Sequence, residues 1–394
     1  MSTWRCVVLA GALSSACAGG DGARPSVDAG SDGGTSACAT SLALPSAVRS
    51  IAVAASHACL LLEDGTVHCW GKNDKGQLGV VSRGPTGTRT YEPCLFPTRV
   101  PGVDGATAIA VGGFESCALL GGTVKCWGDN GQGQIGNGTS MTFGITPTEV
   151  HGLTDAVEIA VGGAHVCARR ATGGLVCWGD NFFCQLGAAG VDASEPRAVS
   201  GVTDVRALTA GSVHTCALLA GNTVQCWGSF AFGQGAVCTP RSVGLTDATQ
   251  ISAGANHTCA RREGGTVSCW GGNGAGQLGD GSTKYARETP LDVTGLTDVQ
   301  GVAGGGAHTC ALHTSGAVSC WGTNAHGELG DGTTTAHLTA TAVPGASGVR
   351  ALSAGGTASV GSTAALLASG GLRWWGLTFA TEPSSSVLSP VAPF

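Results

Sequence analysis

The chain has 394 residues, 67 of them Gly and 18 Cys, with only 12% charged and 5% aromatic side chains. With 4 Lys and 2 Met among them, helix formers are too scarce for a bundle or coiled coil, while 42% apolar content is too high for disorder. A net charge of −6 without any Lys/Arg run excludes tracking of a nucleic-acid backbone, and no apolar stretch reaches the ~20 residues of a membrane helix. What remains is a soluble, all-β or β-dominated chain rich in turns.

Residues 1–16 open with a single Arg5 followed by the apolar run Cys6 to Leu13 and then small residues, the pattern of a secretory signal peptide. Ser14, Ser15 and Ala16 stand directly before Cys17, which resembles the bacterial lipoprotein cleavage motif and marks Cys17 for lipidation. Leu13 sits one position further upstream than in that motif, and Ala16-Cys17-Ala18 also fits ordinary signal peptidase, so free secretion stays open. Residues 17–41 are Gly, Ser and Asp rich and cannot bury enough apolar surface to order themselves. They read as a flexible tether.

The rest of the chain is one repeat. Trp-Gly recurs at Trp70, Trp127, Trp178, Trp227, Trp270, Trp321 and Trp375, at intervals of 57, 51, 49, 43, 51 and 54 residues. Each copy carries an alternating run such as Val157 to Val161, a unit of the form AGxxHTCALxxxGxVxCWGxNxxGQLG, and a Pro-x-x-Val element as at Pro147 to Val150. That is four short strands separated by Gly turns, the content of one propeller blade. The expected fold is all-β, a seven-bladed propeller over residues 42–394. Closure is expected through a shared blade that unites the strand near Pro390 and Val391 with those near Val48 to Val53, leaving no open sheet edge.

The unit, clearest at Ala253 to Gly279 and Ala303 to Gly330, resembles the repeat of the regulator of chromosome condensation family. That resemblance implies a seven-bladed propeller over residues 42–394, and its WGxNxxGQLG signature is specific. Kelch repeats have a similar period but a Gly-Gly doublet and aromatic spacing not found here. Copies four and seven depart from the pattern, with Phe230 in place of Asn and Leu377-Thr-Phe-Ala in place of the Asn loop.

Six copies hold a Cys pair flanking a turn: Cys59 with Cys69, Cys117 with Cys126, Cys167 with Cys177, Cys216 with Cys226, Cys259 with Cys269, and Cys310 with Cys320. A two-residue hairpin at Gly121-Gly122, or a three-residue loop such as Glu63-Asp64-Gly65, sets the partners directly opposite each other, within disulfide reach. Copy seven loses both partners at once, to Ala364 and Trp374, as expected of residues that serve only each other. Of the remaining Cys, Cys184 and Cys238 lie in loops of adjacent copies and are read as a pair, which leaves Cys38 with Cys94. The other two pairings of these four stay open.

His57, His165, His214, His257 and His308 each precede a Cys by two residues, and Glu115 takes that place in copy two. No repeated fourth ligand accompanies them, so the reading is a structural His hydrogen-bonded between strands and no metal. Gly131 to Gly136 and Gly274 to Gly279 match GxGxxG but run into turn residues, not a helix, so no nucleotide cofactor is expected. Asp280-Gly-Ser and Asp331-Gly-Thr offer one carboxylate each, too few for Ca²⁺. Asn137 and Asn256 match the glycosylation sequon by pattern alone, the second within a core strand.

No nucleophile motif and no recurring carboxylate pair appear, so an enzyme is not expected. The resembled family's founding member is a nuclear guanine-nucleotide exchange factor that contacts chromatin, and none of its exchange residues can be matched to this exported-looking, acidic chain. A secreted bacterial propeller of similar fold that inhibits β-lactamase through one face is the nearer analogy. The expectation is an exported binding or scaffold module of the bacterial envelope, monomeric, with a protein partner, no nucleic acid, and membrane contact only through the lipid. The alternatives are a passive envelope component and an enzyme whose site is assembled in the central channel. One asymmetry suggests where a partner docks: Phe182, Phe183, Phe230 and Phe232 break the polar loops of copies three and four. Either these rings anchor a partner, or they fold inward to cover weak packing.

Overall fold

The computed structural model describes residues 38–39, 44–83, 89–90, 92–140, 143–229, 235–284, 286–377 and 385–391. The leader, Cys17 and most of the tether therefore lie outside the described residues, as do Phe230 and Phe232. Within them, seven four-stranded antiparallel sheets follow one another along the chain, spanning 48–99, 108–149, 156–198, 205–242, 248–292, 299–342 and 349–391. Each is a blade whose strands run in chain order from the channel to the rim. A two-stranded insertion, Ser82–Arg83 with Arg89–Thr90, lengthens the first copy.

The turn chemistry is that expected from the Cys spacing. Gly121 and Gly122 both have positive φ (+56° and +105°) and place Cys117 opposite Cys126, whereas the three-residue loop 63–65 ends on Gly65 at φ +80° and places Cys59 opposite Cys69. All six intrablade pairs are disulfide-bonded with Cα atoms 4.1 Å apart. Cys38 is bonded to Cys94 and Cys184 to Cys238.

Closure differs from expectation. No blade is shared: Ser385–Val391 pairs with Leu372–Gly376 of its own blade, and Val48–Val53 begins blade one. The ring closes by side-chain contact between two complete blades. Arg350 Nη2 donates to the carbonyl of Val48 (2.7 Å), and the Val53 amide donates to Ser353 Oγ (3.1 Å). The same device protects the inner sheet edges elsewhere, where the Ala253 amide donates to Thr209 and the Gly304 amide to Ser252 in neighbouring blades.

The core lies between blades. The disulfide of each of the first six blades shares a hydrophobic cluster with the next blade's repeat Trp: Cys59 and Cys69 with Trp127, Cys216 and Cys226 with Trp270, Cys310 and Cys320 with Trp375. A blade thus buries its face only against its neighbour, which is why the repeat must close into a ring.

Candidate functional site

Two sets of connections emerge on one face. Within a blade, His57 pairs with Gly71 at the ends of adjacent strands, so the turn after the inner strand and the long loop after the third strand leave from the same end. The inner turns ring the channel mouth and the long loops surround them.

The inner turns are Gly-rich because they touch. Gly113 N donates to Gly162 O (3.1 Å) and Ser212 N to Ala255 O (2.9 Å), each bond passing from one blade to the next. A Cβ on Gly112 would lie 2.2 Å from Gly162 O, and one on Gly306 would lie 1.8 Å from Thr357 O. The mouth encloses about 320 Å³. Every described residue lining it is Gly, Ala or Val except Phe114, Ser212 and Thr357, so it presents methyl groups and backbone and no titratable side chain.

The long loops are framed by the repeat Asn. Asn73 Oδ1 accepts from the Leu78 amide (3.1 Å) and its Nδ2 donates to Val80 O (2.9 Å), and Asn130, Asn181, Asn273 and Asn324 accept from Ile135, Leu186, Leu278 and Leu329 in the same way. The two GxGxxG matches are these loops. Asp280 and Asp331 accept from Ser282 and Thr333 two residues on, which is local turn bonding. Among the described residues no group of three or more His, Cys, Asp or Glu is placed to hold a metal ion. Asn256 sits in an inner turn before the strand His257–Arg262, a correction to its placement within the strand.

The five His make a bond that alternation alone could not specify, because their partner lies across the seam. His165 Nε2 meets Thr215 Oγ1 of the next blade (2.9 Å), and Thr215 donates its hydroxyl hydrogen to Gln185 O (2.9 Å). The hydroxyl has one hydrogen to give, so the imidazole must donate from Nε2. Trp227 Nε1 donates to the same Gln185 carbonyl (2.9 Å), which ties the long loop of blade three to two side chains of blade four. The same four-residue latch joins blades one and two through His57, Ser116, Gln77 and Trp127, and blades five and six through His257, Thr309, Gln277 and Trp321. Burial pushes His57, His165 and His257 down to about 3 and His214 and His308 down to about 4, so all five are neutral at pH 7. At the seam between blades two and three, Glu115 of blade two takes the His position and Val166 of blade three the Thr position. Burial raises the Glu115 carboxyl well above its usual range, which favours its uncharged form, and its Oε1 has no hydrogen-bond partner among the described residues.

The aromatic loop is outward. Phe182 is 81% and Phe183 38% exposed, with ring centroids 4.9 Å apart in an edge-to-face pair, so neither ring covers a core. They occupy the two positions before Cys184, whose bond to Cys238 fastens the loop of blade three to the outer strand of blade four. Phe114, 40% exposed, lies at the channel mouth on the same face, a residue sequence reasoning passed over because it stands within a Gly-rich turn.

With this geometry established, comparison with known proteins is informative. The Regulator of chromosome condensation (RCC1) repeat matches residues 48–77, 156–185, 205–234, 248–277 and 299–328 in one form, and 64–119, 121–169 and 264–312 in another, together more than half of the chain. Among solved structures, human WBSCR16 superposes with a TM-score of 0.73 at 18% identity over 83% of this chain and 95% of that one. Prp20p from Saccharomyces cerevisiae, described with binding properties to Gsp1p and histones, gives 0.67 at 22% identity, covering 78% and 80% of the two chains. The secretion-regulating guanine nucleotide exchange factor of Bos taurus is 35% identical over 85 residues, 19% of this chain and 18% of that protein. A probable E3 ubiquitin-protein ligase of Homo sapiens, HERC3, is 39% identical over 83 residues, 20% of this chain and 7% of that protein. The chain therefore spans less than a fifth of the curated relatives it matches. The chain belongs to the regulator of chromosome condensation (RCC1) repeat family.

Proposed function

We propose that the protein is an exported binding module, a disulfide-bonded propeller that presents its long-loop face to a protein partner. The observation that carries this reading is the loop of blade three: two exposed Phe rings in an edge-to-face pair, Phe182 and Phe183, on a segment framed by Asn181 and bonded to the next blade through Cys184. Aromatic side chains on a preorganised loop supply contact area at small entropic cost, the usual composition of an interface anchor. Protein binding is also what related propellers are described as doing, since Prp20p has been studied with Gsp1p and solved with Kap60 bound. The exchange-factor relative matches too little of this chain to transfer its activity.

Export rests on residues 1–16 and on the eight disulfides, a number that suits an oxidising compartment. Lipidation of Cys17 would hold the module at the envelope of a bacterial cell on the tether of residues 17–41. Pull-down from envelope and culture fractions with the full chain and with Phe182→Ser tests the docking reading. Capture lost in the variant at an unchanged Tm supports it, and equal capture by both proteins overturns it. Metabolic labelling with a palmitate analogue, with Cys17→Ser as control, tests the anchor.

A further inference from the structure

We propose that Cys184–Cys238 is a reducible joint, opened selectively by a dithiol reductant while the six intrablade disulfides stay closed. The cysteines of those six bonds are at most 1% exposed, each packed in a cluster under the next blade's Trp, or under Trp178, Trp227 and Trp321 in the same way. Cys184 is 9% exposed and Cys238 half-buried at the rim. In Cys38–Cys94, Cys38 is half-buried like Cys238, but its partner Cys94 is 1% exposed, so a thiolate released there would be left in apolar surroundings. Cys238 is therefore the sulfur a reductant reaches, and Cys184 the better placed of the candidate leaving groups.

The backbone favours the same bond. Cys184 holds φ +61°, at the position where other blades have Gly76 (+77°), Gly133 (+85°), Gly276 (+79°) and Gly327 (+79°). The other two described non-Gly residues with positive φ are Asp204 and Asn222, types that tolerate it. The equivalent glycines also lie against the next blade's outer strand. A Cβ on Gly133 would be 2.7 Å from Ser194 Cα, and one on Gly276 would be 2.4 Å from Leu338 Cδ2. Cys238, like Ser194 and Leu338, is the second residue of its outer strand. Cys184 thus carries a side chain into a space that elsewhere admits none, and bonding to Cys238 is what makes that approach acceptable. Once the bond opens, the sulfurs must separate to van der Waals distance, and the tip of the loop, with Phe182 and Phe183, is pushed off blade four.

The exchange balances without further reagents. A thiolate of the dithiol attacks Cys238 Sγ and the S–S electron pair leaves on Cys184, which takes a proton. The second thiol of the same molecule then displaces Cys238, which is also protonated, and the reductant departs as a cyclic disulfide. Two electrons and two protons reach the protein. The surrounding loop survives because Asn181 and the Gln185 latch do not depend on the bond.

The test treats the full chain, purified oxidised, with graded dithiothreitol, followed by differential alkylation and peptide mapping. Cys184 and Cys238 should become labelled at least tenfold faster than any intrablade pair and ahead of Cys38 and Cys94. Simultaneous opening of an intrablade pair, or earlier opening of Cys38–Cys94, overturns the proposal. Two double variants keep it falsifiable without reductant and without any partner, so its failure is separate from that of the docking reading. Hydrogen exchange at residues 182–187 should rise several-fold in C184A/C238S, which keeps a side chain at the crowded position, and stay near the oxidised level in C184G/C238S, which restores the glycine of the other blades. Equal exchange in the two variants would contradict the crowding argument.

Discussion

Between blades three and four, the seam carries the full repeat chemistry: a disulfide beneath Trp227, and the His165, Thr215 and Gln185 latch above it. Between blades seven and one the described residues differ. Ser362 stands in the His position and Ala58 in the Thr position, and the Cys pair is replaced by Ala364 and Trp374. Trp374 instead meets Trp70 of blade one edge-on at 5.9 Å, in a cluster with Leu60, Leu62 and Leu372. Among the described residues, the regular seam is joined by directional bonds to a shared carbonyl and the closing seam by aromatic area and by the two inner-strand bonds of Ser353 and Arg350, while Ser362 Oγ and Trp374 Nε1 both donate to Leu377 O within blade seven. The joint loss of both Cys in copy seven then has a physical sense, because an indole occupies the room a disulfide fills elsewhere.

The largest effect expected from breaking this comparison is at the regular seam. Trp227→Ala removes a fully buried ring and leaves Gln185 O without one of its donors, so it should cost about 3–5 kcal/mol and lower Tm sharply. Trp374→Ala removes a ring that is 6% exposed and donates from Nε1 to Leu377 O of its own blade (3.3 Å), so it should cost less than Trp227→Ala in the same urea titration. A larger loss at Trp374 would mean that closure, not the latch, limits stability.

Acid should weaken the latched seams specifically. The five imidazoles are neutral when folded, with values depressed to about 3 or 4, whereas the unfolded chain titrates near 6.5. The unfolded state therefore binds more protons between those limits. Stability is fully present above pH 6.5 and falls as pH drops toward 4, by roughly 1 kcal/mol per pH unit for each His. Glu115 has the opposite sign: its raised value means that its contribution is present below pH 4.5 and is lost as pH rises through the folded value. Tm measured from pH 8 to pH 4 should fall below pH 6.5, and Glu115→Gln should gain stability at pH 8 relative to the parent but not at pH 4. A flat profile would contradict the buried, neutral assignment.

How much of this was legible in the sequence follows from what a period can encode. Seven Trp-Gly copies and opposed Cys pairs report on contacts within one unit, and blade count and hairpin registers follow from them. A repeat is cyclic, however, so the four-strand pattern reads equally well from any starting strand. Where the ring is cut could not be inferred from Pro390 or Val48, and the structure places the cut between blades. Likewise the two-residue spacing of His165 and Cys167 tells that they share a strand face, but not that the face meets Thr215 of another blade. The AGG and VGG triplets were visible, yet their reason, carbonyls passing within Cβ distance around the channel, is a contact between units. Phe182 and Phe183 announced themselves as exceptions to a polar loop, and only burial decided that they point outward.

A smaller and nearly balanced effect is expected on converting the closing seam to the regular type. Ala364 and Trp374 face each other in register, so A364C/W374C should form a seventh intrablade disulfide detectable by non-reducing peptide mapping. The gain of about 2–3 kcal/mol from a short loop is offset by the lost contact between Trp70 and Trp374, leaving Tm within a few degrees of the parent. A large rise in Tm would show that the aromatic contact contributes little.

The claim that the seams are joined by a His-to-hydroxyl latch is tested most directly by paired double-mutant cycles in urea. One cycle uses His165→Ala and Thr215→Val at a latched seam, and the other installs the His and hydroxyl pair at the seam between blades two and three, with Glu115→His and Val166→Thr. The first pair should couple by about 1 kcal/mol, and the second should gain a similar coupling, with E115H/V166T more stable than the sum of its single variants predicts. Additive behaviour in the first cycle would contradict the account, since residues in a shared hydrogen-bonded network cannot act independently.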